Sequence, residues 1–294
     1  MLDNITDIDR QQKIQMEREK VEFIFVVVVY RNVDDLVGLL DSIKRNVSVY
    51  KTIIVNNYYD DLTKKEIQRI SEDYDSEFIN CENRGYGAGN NSGIRLALKK
   101  YKFDYLIISN PDIIIKKFPE REIRQYPKGV LGCEIYNRSG KKQNPMIVKD
   151  NKFAARLLYK GLEKRSGTYL FVGKAVNYIQ RKFFRMNLHK KDKKQREIYQ
   201  VHGSFVIFSH DIINKIGTPY DENMFLFGEE GYLAYLLKQK GIKSFYCPEV
   251  EVLHKEDGSM KFRDNIDEEC VRSGCYFFEK HYFNSGDGKE WRKY

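Results

Sequence analysis

The feature that most constrains the fold is the apolar run Phe23–Val29, in which most residues are β-branched. The run is far shorter than the roughly 20 residues that span a bilayer. It also lacks the polar alternation of a strand with one wet face, so it predicts a strand buried on both faces. Such strands occur in sheets that helices cover on both sides, which restricts the chain to an α/β architecture.

The rest of the N-terminal half alternates predicted helices and strands. Apolar residues at helical spacing mark Val33–Arg45, and a strand follows at Thr52–Val55. The alternation continues as helix, strand, helix and strand at Leu62–Ile70, Phe78–Ile79, Gly93–Lys100 and Tyr105–Ile108. This order predicts a doubly wound, mostly parallel sheet flanked by helices.

The C-terminal half is less regular. It predicts a helix at Gly231–Lys240 that ends at Gly241, a C-cap position. Strands are predicted at Val130–Ile135, Tyr199–Phe208, Phe245–Tyr246 and Val250–Leu253. Glu268–Phe283 predicts a closing helix whose aromatic face can pack on its own domain or on a second copy of the chain.

Basic residues are concentrated in one segment. The 294-residue chain has a formal net charge of +9, and between Lys149 and Arg196 it carries 15 Lys and Arg against 3 Asp and Glu. We assign one domain to residues 21–265, with a basic helical insert at 149–198. A charged, helix-prone extension at 1–20 precedes it, and a helical segment at 266–294 follows it.

The insert contains a predicted basic amphipathic helix. Its apolar residues Val172, Val176, Ile179 and Phe183 share one face. Helices of this type lie on anionic membranes. We therefore expect a peripheral membrane contact through residues 149–198; a solvated helical excursion or an interface with another partner are the alternatives.

Composition narrows the class of protein. No apolar signal segment stands near the N-terminus and no Cys-x-x-Cys pair occurs, so we expect reduced thiols in a cytoplasmic protein. The isoelectric point of about 9.0 makes nucleic-acid binding a rival function. Against it, the sequence has no helix-turn-helix, zinc-finger or ribonucleoprotein signature.

Asn110-Pro111-Asp112 directly follows the predicted strand Tyr105–Ile108. Open α/β sheets bind ligands beyond the carboxyl ends of their strands, and a carboxylate there can hold a divalent metal against a nucleotide diphosphate. The same tripeptide is also ordinary turn chemistry. Its position after a buried strand favours a metal and nucleotide site over a simple turn.

A glycine-rich segment, Asn83–Gly93, stands between a predicted strand and a predicted helix. Glycines allow close backbone approach, and a helix N-terminus favours anions. The spacing does not match the dinucleotide fingerprint, and the segment follows the third strand rather than the first. It predicts a phosphate-binding loop, with a tight strand-to-helix turn as the alternative.

Two further motifs bring acid and imidazole groups. Glu229-Glu230 precedes an apolar-periodic helix, whose dipole would keep a carboxylate ionised for use as a general base. Because neighbouring helical side chains diverge, we expect only one of the pair to face the site. His254 ends a predicted strand, and imidazole with carboxylate suits Mn²⁺, with Mg²⁺ tolerated.

Taken in order, these motifs resemble glycosyltransferase family 2, which has the GT-A fold. The resemblance covers roughly residues 22–260 and includes Val55-Asn56-Asn57, Asn110-Pro111-Asp112, His202-Gly203-Ser204 and Phe227-Gly228-Glu229-Glu230. The most similar branch is that of the bacterial rhamnosyltransferase and galactofuranosyltransferase-like enzymes of surface polysaccharide synthesis.

The resemblance implies roles for matching positions. Val29 and Tyr30 would contact the nucleotide base, and Asn56 stands where the family usually has an Asp that accepts the pyrimidine N3–H. The remaining nucleotide-sugar contacts would be Asn83, Gly87, Asn90, Asn110 and Asp112.

The resemblance also implies the chemistry. Asp112 and His254 would hold Mn²⁺ or Mg²⁺, and Glu230 would be the general base. Tyr232 stands where the family often has an acidic residue. The family reaction moves a sugar, here rhamnose-, galactofuranose- or hexose-like, from a UDP- or dTDP-linked donor to a saccharide acceptor with inversion. We expect a lipid-linked acceptor at the inner membrane face.

Other functions remain open at this point. A nucleotidyltransferase can pair a glycine-rich loop with metal-binding carboxylates, although such enzymes usually carry that loop after the first strand. The departures at Asn56 and Tyr232 also fit a catalytically impaired scaffold.

Overall fold

The computed structural model describes residues 18–31, 33–256 and 266–283. The strands are β1 Glu19–Lys20, β2 Phe23–Val29, β3 Tyr50–Asn57, β4 Glu77–Cys81, β5 Tyr101–Lys102, β6 Tyr105–Ser109, β7 Ile113–Lys117, β8 Val130–Asn137, β9 Glu197–Ile198, β10 Phe205–Ser209 and β11 Ser244–His254. The α-helices are α1 Val33–Asn46, α2 Asp61–Asp73, α3 Tyr86–Lys100, α4 Glu120–Ile123, α5 Lys152–Glu163, α6 Gly167–Met186, α7 His210–Ile216, α8 Glu229–Gln239 and α9 Ile266–Tyr276. Two 3₁₀ turns, Leu188–Lys190 and Lys193–Gln195, follow α6, and a π-helical turn, Phe277–Tyr282, follows α9.

The fold is α/β, as predicted, with a nine-stranded central sheet flanked by helices. Eight strands follow the order β4-β3-β2-β6-β10-β8-β11-β7, and β9 pairs with β11. The first four strands of this order are parallel. Since β10 runs antiparallel to both β6 and β8, the second half of the sheet is mixed.

Strand β2 lies at the centre of the parallel half, and all of its side chains are buried. Phe25 and Val27 join the core beneath α1, whereas Ile24 and Val26 join the core beneath α3. Helices therefore cover both faces of the sheet, which is why this strand carries no polar alternation.

The glycine-rich segment differs from its predicted loop. Helix α3 begins at Tyr86, so Gly87, Gly89 and Gly93 are helical and buried. A Cβ on Gly93 would lie 2.4 Å from Val26 Cγ1, and one on Gly89 would lie 3.0 Å from Val28 Cγ1. These glycines let the helix backbone approach the sheet, a tertiary role that the sequence pattern did not separate from loop flexibility.

Two strand predictions also need correction. Residues 199–204 are not a strand, and the residues before Phe205 form an irregular segment instead. Pro248 does not divide two strands, because β11 is continuous with a register shift between Cys247 and Glu251. Proline is tolerated at such a bulge, where its missing N–H is not needed.

The insert forms a helical hairpin, α5 and α6, rather than one amphipathic helix. The buried face of α6 consists of Gly173, Asn177 and Phe184, whereas the predicted apolar face of Val172, Ile179 and Phe183 is exposed. The reason is close packing: a Cβ on Gly173 would lie 2.9 Å from Leu158 Cγ, so the small residues face α5.

The closing segment packs on its own chain. Phe277 is 6% exposed and lies against Gly231, where a Cβ would be 2.9 Å from its ring. Tyr159 of α5 contacts Phe278 with ring centroids 5.9 Å apart. The predicted N-terminal helix lies outside the described residues except at 18–20. No helix within the described ranges is long and apolar enough to cross a membrane.

Candidate active site

A cavity of about 270 Å³ opens at the carboxyl ends of β2, β3 and β6. The N-termini of α3 and α8 and the segment before β10 complete its wall. Its lining includes Tyr30, Asn83, Asn110, Asp112 and Glu230, five of the residues predicted from sequence. Ligands bind at this edge of open α/β sheets.

Asp112 and His254 meet because β7 and β11 pair, with Ile113 opposite His254. The distance from Asp112 Oδ2 to His254 Nε2 is 3.4 Å, and His254 Nδ1 lies 2.9 Å from Gln143 Oε1. Asp112 is 1% exposed, and its Oδ1 has no hydrogen-bond partner in the structure.

An unpartnered buried carboxylate oxygen beside an imidazole fits a divalent cation. Within the described part of the chain, however, no group of three or more His, Cys, Asp or Glu is placed to hold a metal ion. A cation here would therefore need further ligands from a bound molecule or from water.

Asn110 is fixed by two contacts. Its backbone N–H donates to Ser204 O at 2.8 Å, and its side-chain Oδ1 accepts from the Tyr86 hydroxyl at 2.9 Å. The Tyr86 hydroxyl also lies 3.1 Å from Gly203 O. Sequence reasoning did not assign Tyr86, although its place at the start of a helix that follows a strand was a usable signal.

His202 also lines the cavity, and no role was predicted for it. Its ring lies 5.6 Å from the His254 ring, and its Nδ1 lies 2.9 Å from Ser204 Oγ. Burial, together with the neighbouring His254, lowers the pKa of His202 to about 3, so its imidazole is neutral near pH 7.

Glu229 and Glu230 begin α8 after a turn in which Phe227 and Gly228 have positive φ angles of 71° and 88°. Contrary to expectation, both residues line the cavity. Glu230 Oε1 accepts from Gly203 N at 3.4 Å, whereas Glu229 is 4% exposed and its Oε1 has no partner in the structure.

The pKa values of this pair shift in the direction opposite to the one expected from the helix dipole. Burial raises the pKa of Glu230, and burial plus the charge of Glu230 raises the pKa of Glu229. Backbone N–H groups oppose the shift but do not cancel it. Desolvation therefore outweighs the helix dipole that was expected to keep the carboxylates ionised.

Four predicted nucleotide-sugar contacts lie outside the cavity lining, as does the predicted metal ligand His254. Asn56 is fully buried and donates from Nδ2 to Asn80 Oδ1 at 2.7 Å, while its Oδ1 has no partner in the structure. Asn90 is buried in α3 and donates to Tyr86 O at 3.0 Å. Val29 faces the core beneath α1, and Gly87 packs against Tyr220.

The residues next to Val29 and Asn56 in the chain line the cavity instead. Val28 and Asn57 reach it because successive side chains of a strand point to opposite faces. Asn57 Nδ2 lies 3.3 Å from Asn83 Oδ1 and 3.1 Å from Gly85 O, which ties β3 to the turn before α3.

An aromatic pair stands where the chain leaves β2. Tyr30 lies edge-on to Tyr59 with ring centroids 5.9 Å apart, and the Arg31 guanidinium lies 4.1 Å from the centroid of the Tyr59 ring. Tyr59 is 45% exposed. A flat ring can stack on such a surface.

The ionisable side chains of the described cavity lining include acidic groups but no Lys or Arg. Three carboxyl groups line it, on Asp112, Glu229 and Glu230, and none of the described lining residues is Lys or Arg. An anionic ligand that binds here must bring or meet a cation.

The amino-acid sequence is similar to known glycosyltransferases. The family model for glycosyl transferase family 2 matches residues 24–217. The low-salt glycan biosynthesis hexosyltransferase Agl10 of Haloferax volcanii is 22% identical over 236 residues, which is 79% of this chain and 66% of that protein.

Two solved structures share the fold. A crystal structure of S. aureus TarS 1-349 in complex with UDP has a TM-score of 0.51 and 11% identity, covering 79% of this chain and 60% of the TarS chain. A structure of GalNAc-T7 with UDP, GalNAc and Mn²⁺ has a TM-score of 0.57 and 11% identity, covering 90% of this chain and 49% of that one. The chain thus spans about half to two thirds of the length of these relatives.

Proposed function

The chain belongs to glycosyl transferase family 2, and we propose that it is an inverting glycosyltransferase with a nucleoside-diphosphate sugar as donor. The observation that carries this proposal is the convergence of Asp112, from the end of β6, and Glu230, from the start of α8, on one acidic cavity. Two carboxylates from different elements in one cavity suit one cation-binding and one proton-accepting role.

The donor is proposed to be UDP- or dTDP-linked. The UDP in the TarS and GalNAc-T7 structures supports a uridine nucleotide in this fold. Tyr30 and Tyr59 offer a surface for the base, and Asn83, Asn110 and Asp112 face the nucleotide sugar. The predicted contacts that lie outside the cavity lining would have a supporting role, because they shape the strand ends and the helix that carry these groups. They are Val29, Asn56, Gly87 and Asn90.

A divalent cation, Mn²⁺ or Mg²⁺, is proposed between the protein and the donor. Asp112 Oδ1 and His254 Nε2 are the groups that would hold it, and the Mn²⁺ in the GalNAc-T7 structure supports the choice of metal. Such a cation would supply the positive charge that the cavity lining lacks and would stabilise the departing diphosphate.

The protein residues carry the proton transfer. Glu230, in its ionised form, removes the proton of an acceptor hydroxyl, and that oxygen forms a bond to the anomeric carbon. The bond from the anomeric carbon to the donor phosphate breaks on the opposite face, so the configuration inverts. The nucleoside diphosphate leaves, and the proton stays on Glu230 Oε until solvent removes it.

The acceptor is proposed to be a lipid-linked saccharide in the synthesis of a surface polysaccharide. The hexosyltransferase named in the comparison supports a hexose, with rhamnose and galactofuranose as the alternatives. A cytoplasmic enzyme held at the inner face of the membrane through residues 149–198 would meet such an acceptor.

A panel of UDP-, dTDP- and GDP-sugars, with and without Mn²⁺, tests the proposal. We expect one donor to raise the melting temperature in the presence of Mn²⁺ and to be hydrolysed slowly without an acceptor. Binding of a nucleotide sugar without hydrolysis or transfer would favour the impaired scaffold. Absence of binding with every donor would contradict the proposal.

A further inference from the structure

Helix α6 presents a row of large apolar side chains to solvent. Their exposed fractions run from 40% for Val172 to 73% for Phe171. We call this row the α6 stripe, and its members are Phe171, Val172, Tyr178, Ile179, Phe183 and Met186. At 100° per residue they occupy one continuous side of the helix, opposite the face that packs on α5.

A buried apolar face is the rule for a helix of a monomeric protein, so this arrangement needs an explanation. The helix already uses Gly173 and Asn177 to pack on its neighbour, and the stripe is additional apolar surface. Nothing within the described part of the chain covers it.

The stripe is accompanied by positive charge. Lys174 and Lys182 are exposed, Arg181 lies on one flank, and α6 contains no Asp or Glu. Arg185 lies on the same flank but pairs with Glu134 of β8. By helical geometry Lys182 projects from the middle of the stripe. Apolar side chains with long cationic side chains among and beside them are the pattern of a helix that lies in the headgroup region of an anionic bilayer, because Lys and Arg can extend their charged ends to the phosphates.

The positive charge of α6 also favours a lipid surface over a second copy of the chain as the partner of the stripe. A second copy docked on the same stripe would bring the cations of two helices together without any carboxylate from α6 to offset them. An anionic lipid surface instead complements them. Lys and Arg stems can bury their methylenes beside Phe and Ile while their charged ends reach the phosphates.

The hairpin is coupled to the catalytic end of the molecule. A Cβ on Gly274 of α9 would lie 2.6 Å from Leu162 Cδ1 of α5, so these two helices are in close contact. Ser273 O of α9 lies 3.4 Å from the Cβ position of Gly228, the residue before Glu229. The face of α6 and the start of α8 are therefore connected through the packing of α5 and α9.

We propose that the α6 stripe is a membrane-docking surface that inserts into the headgroup region of an anionic bilayer. The inference deepens the proposed function, because it names the surface that would bring the catalytic cavity to a lipid-linked acceptor. Docking itself requires no transfer, so failure of docking and failure of catalysis can be told apart.

Co-sedimentation of the full chain with vesicles tests the proposal. We expect binding to vesicles of phosphatidylcholine with about one third phosphatidylglycerol, and weak binding to phosphatidylcholine alone. The double variant Phe171→Ser/Ile179→Ser should lower the partition coefficient at least about tenfold. Lys182→Glu should lower it at least about fivefold, with a larger effect at low salt.

Matched controls come from α2, on another part of the sheet. Leu62 is 77% exposed and Lys65 is exposed, so Leu62→Ser and Lys65→Glu make the same chemical changes away from the stripe. Both should bind vesicles as the unchanged protein does. Far-UV circular dichroism and melting temperature establish that each variant is folded.

A reporter gives an independent readout. Phe183→Trp should show a blue-shifted emission and quenching by brominated lipid when anionic vesicles are added. Unchanged partitioning of Phe171→Ser/Ile179→Ser, or loss of binding in the Leu62→Ser control to the same extent, overturns the proposal. Concentration-dependent dimerisation that the double variant abolishes, without vesicle binding, would assign the stripe to a second copy instead.

Discussion

At the scale of single residues, the decisive feature is the competition between burial and ionisation at the start of α8. Glu229 and Glu230 are adjacent, both line the cavity, and burial raises the pKa of each. The charge of Glu230 raises the pKa of Glu229 further, so the first carboxylate formed is that of Glu230. The two carboxyls therefore titrate as a coupled pair, and the proposed base is the one that ionises first.

Glu230→Gln removes the proton acceptor and keeps the shape of the side chain. We expect transfer to fall by about 10² to 10⁴-fold, with nucleotide binding retained, because the base acts on the acceptor and not on the donor. Steady-state transfer assays and donor titrations measure the two quantities. Glu66→Gln, on an exposed position of α2, is the matched control. Full turnover in Glu230→Gln would remove the residue from the mechanism.

The raised pKa values also predict a stability effect for Glu229→Gln. An unfolded Glu has a pKa near 4.3. Because the folded-state pKa of Glu229 lies above that value, the unfolded chain loses the proton first, and the fold is penalised as pH rises through this window. Gln removes the penalty. We expect the variant to gain several kcal/mol at pH 8 and almost nothing at pH 4.

Chemical denaturation at the two pH values measures this difference. An equal gain at both would mean that packing, rather than proton binding, is responsible. A loss at pH 8 would mean that Glu229 is ionised and paired in solution.

Asp112→Asn keeps the size of the side chain and removes its charge. We expect the Mn²⁺-dependent part of the donor-induced rise in melting temperature to disappear, because the unpartnered Oδ1 is the anionic oxygen offered to a cation. Donor binding measured without Mn²⁺ should change little. Asp34→Asn, an exposed change on α1, should leave the Mn²⁺ effect intact. If the Mn²⁺ effect persisted in Asp112→Asn, the cation would have to bind at a different group.

At the scale of elements, α3 shows how closely a helix must approach the sheet to place its N-terminus at the cavity. Gly93 of α3 lies over Val26 and Val55, with a Cβ position only 2.4 Å and 3.1 Å from their methyl carbons. Tyr86, at the start of the same helix, then reaches Asn110. The spacing between helix and sheet thus sets the position of a polar group at the site.

Gly93→Ala tests that spacing. The added methyl group would overlap Val26, so we expect a loss of about 1 to 3 kcal/mol in the free energy of unfolding. Gly167→Ala is the control, because nothing lies within 4 Å of its Cβ position and it begins α6. Denaturant unfolding should show the control to be neutral or slightly stabilised. Equal stability of Gly93→Ala and the unchanged protein would mean that α3 can move away from the sheet without cost.

At the scale of the whole molecule, one buried carboxylate joins the helical insert to the sheet. Glu134 of β8 is 2% exposed and accepts from the Tyr246 hydroxyl and from Lys142 Nζ, each at 2.6 Å. Arg185 of α6 approaches it at 3.4 Å. Three donors thus converge on a single acceptor, so the hairpin is attached through charge as well as through apolar packing.

Glu134→Gln removes that attachment without opening a cavity. Breaking a buried pair costs about 3 to 5 kcal/mol, and since Lys142 and Arg185 keep contact with water we expect about 2 to 3 kcal/mol. Hydrogen exchange should rise first in α5 and α6. Glu163→Gln, on an exposed position of α5, should leave exchange unchanged. Uniform loss of protection across the sheet would show that the insert does not open separately.

The sequence by itself determined the architecture and the family. The buried run Phe23–Val29, the strand-to-helix alternation and the ordered motifs around Asp112 and Glu230 are local patterns, and local patterns survive in a single sequence. They correctly predicted the α/β fold with a central sheet, and they named five residues that line the cavity.

Only the tertiary structure decided the features that depend on which residues, far apart in the sequence, lie close together in space. It showed that Asn57 rather than Asn56 faces the cavity, that Tyr86 and His202 reach it, and that α6 turns its small residues inward. It also showed that burial raises the pKa values of Glu229 and Glu230, which the helix dipole alone would lower. The reason is the same in each case: burial and side-chain direction are set by which elements pack together, and the spacing of residues along one chain does not contain that information.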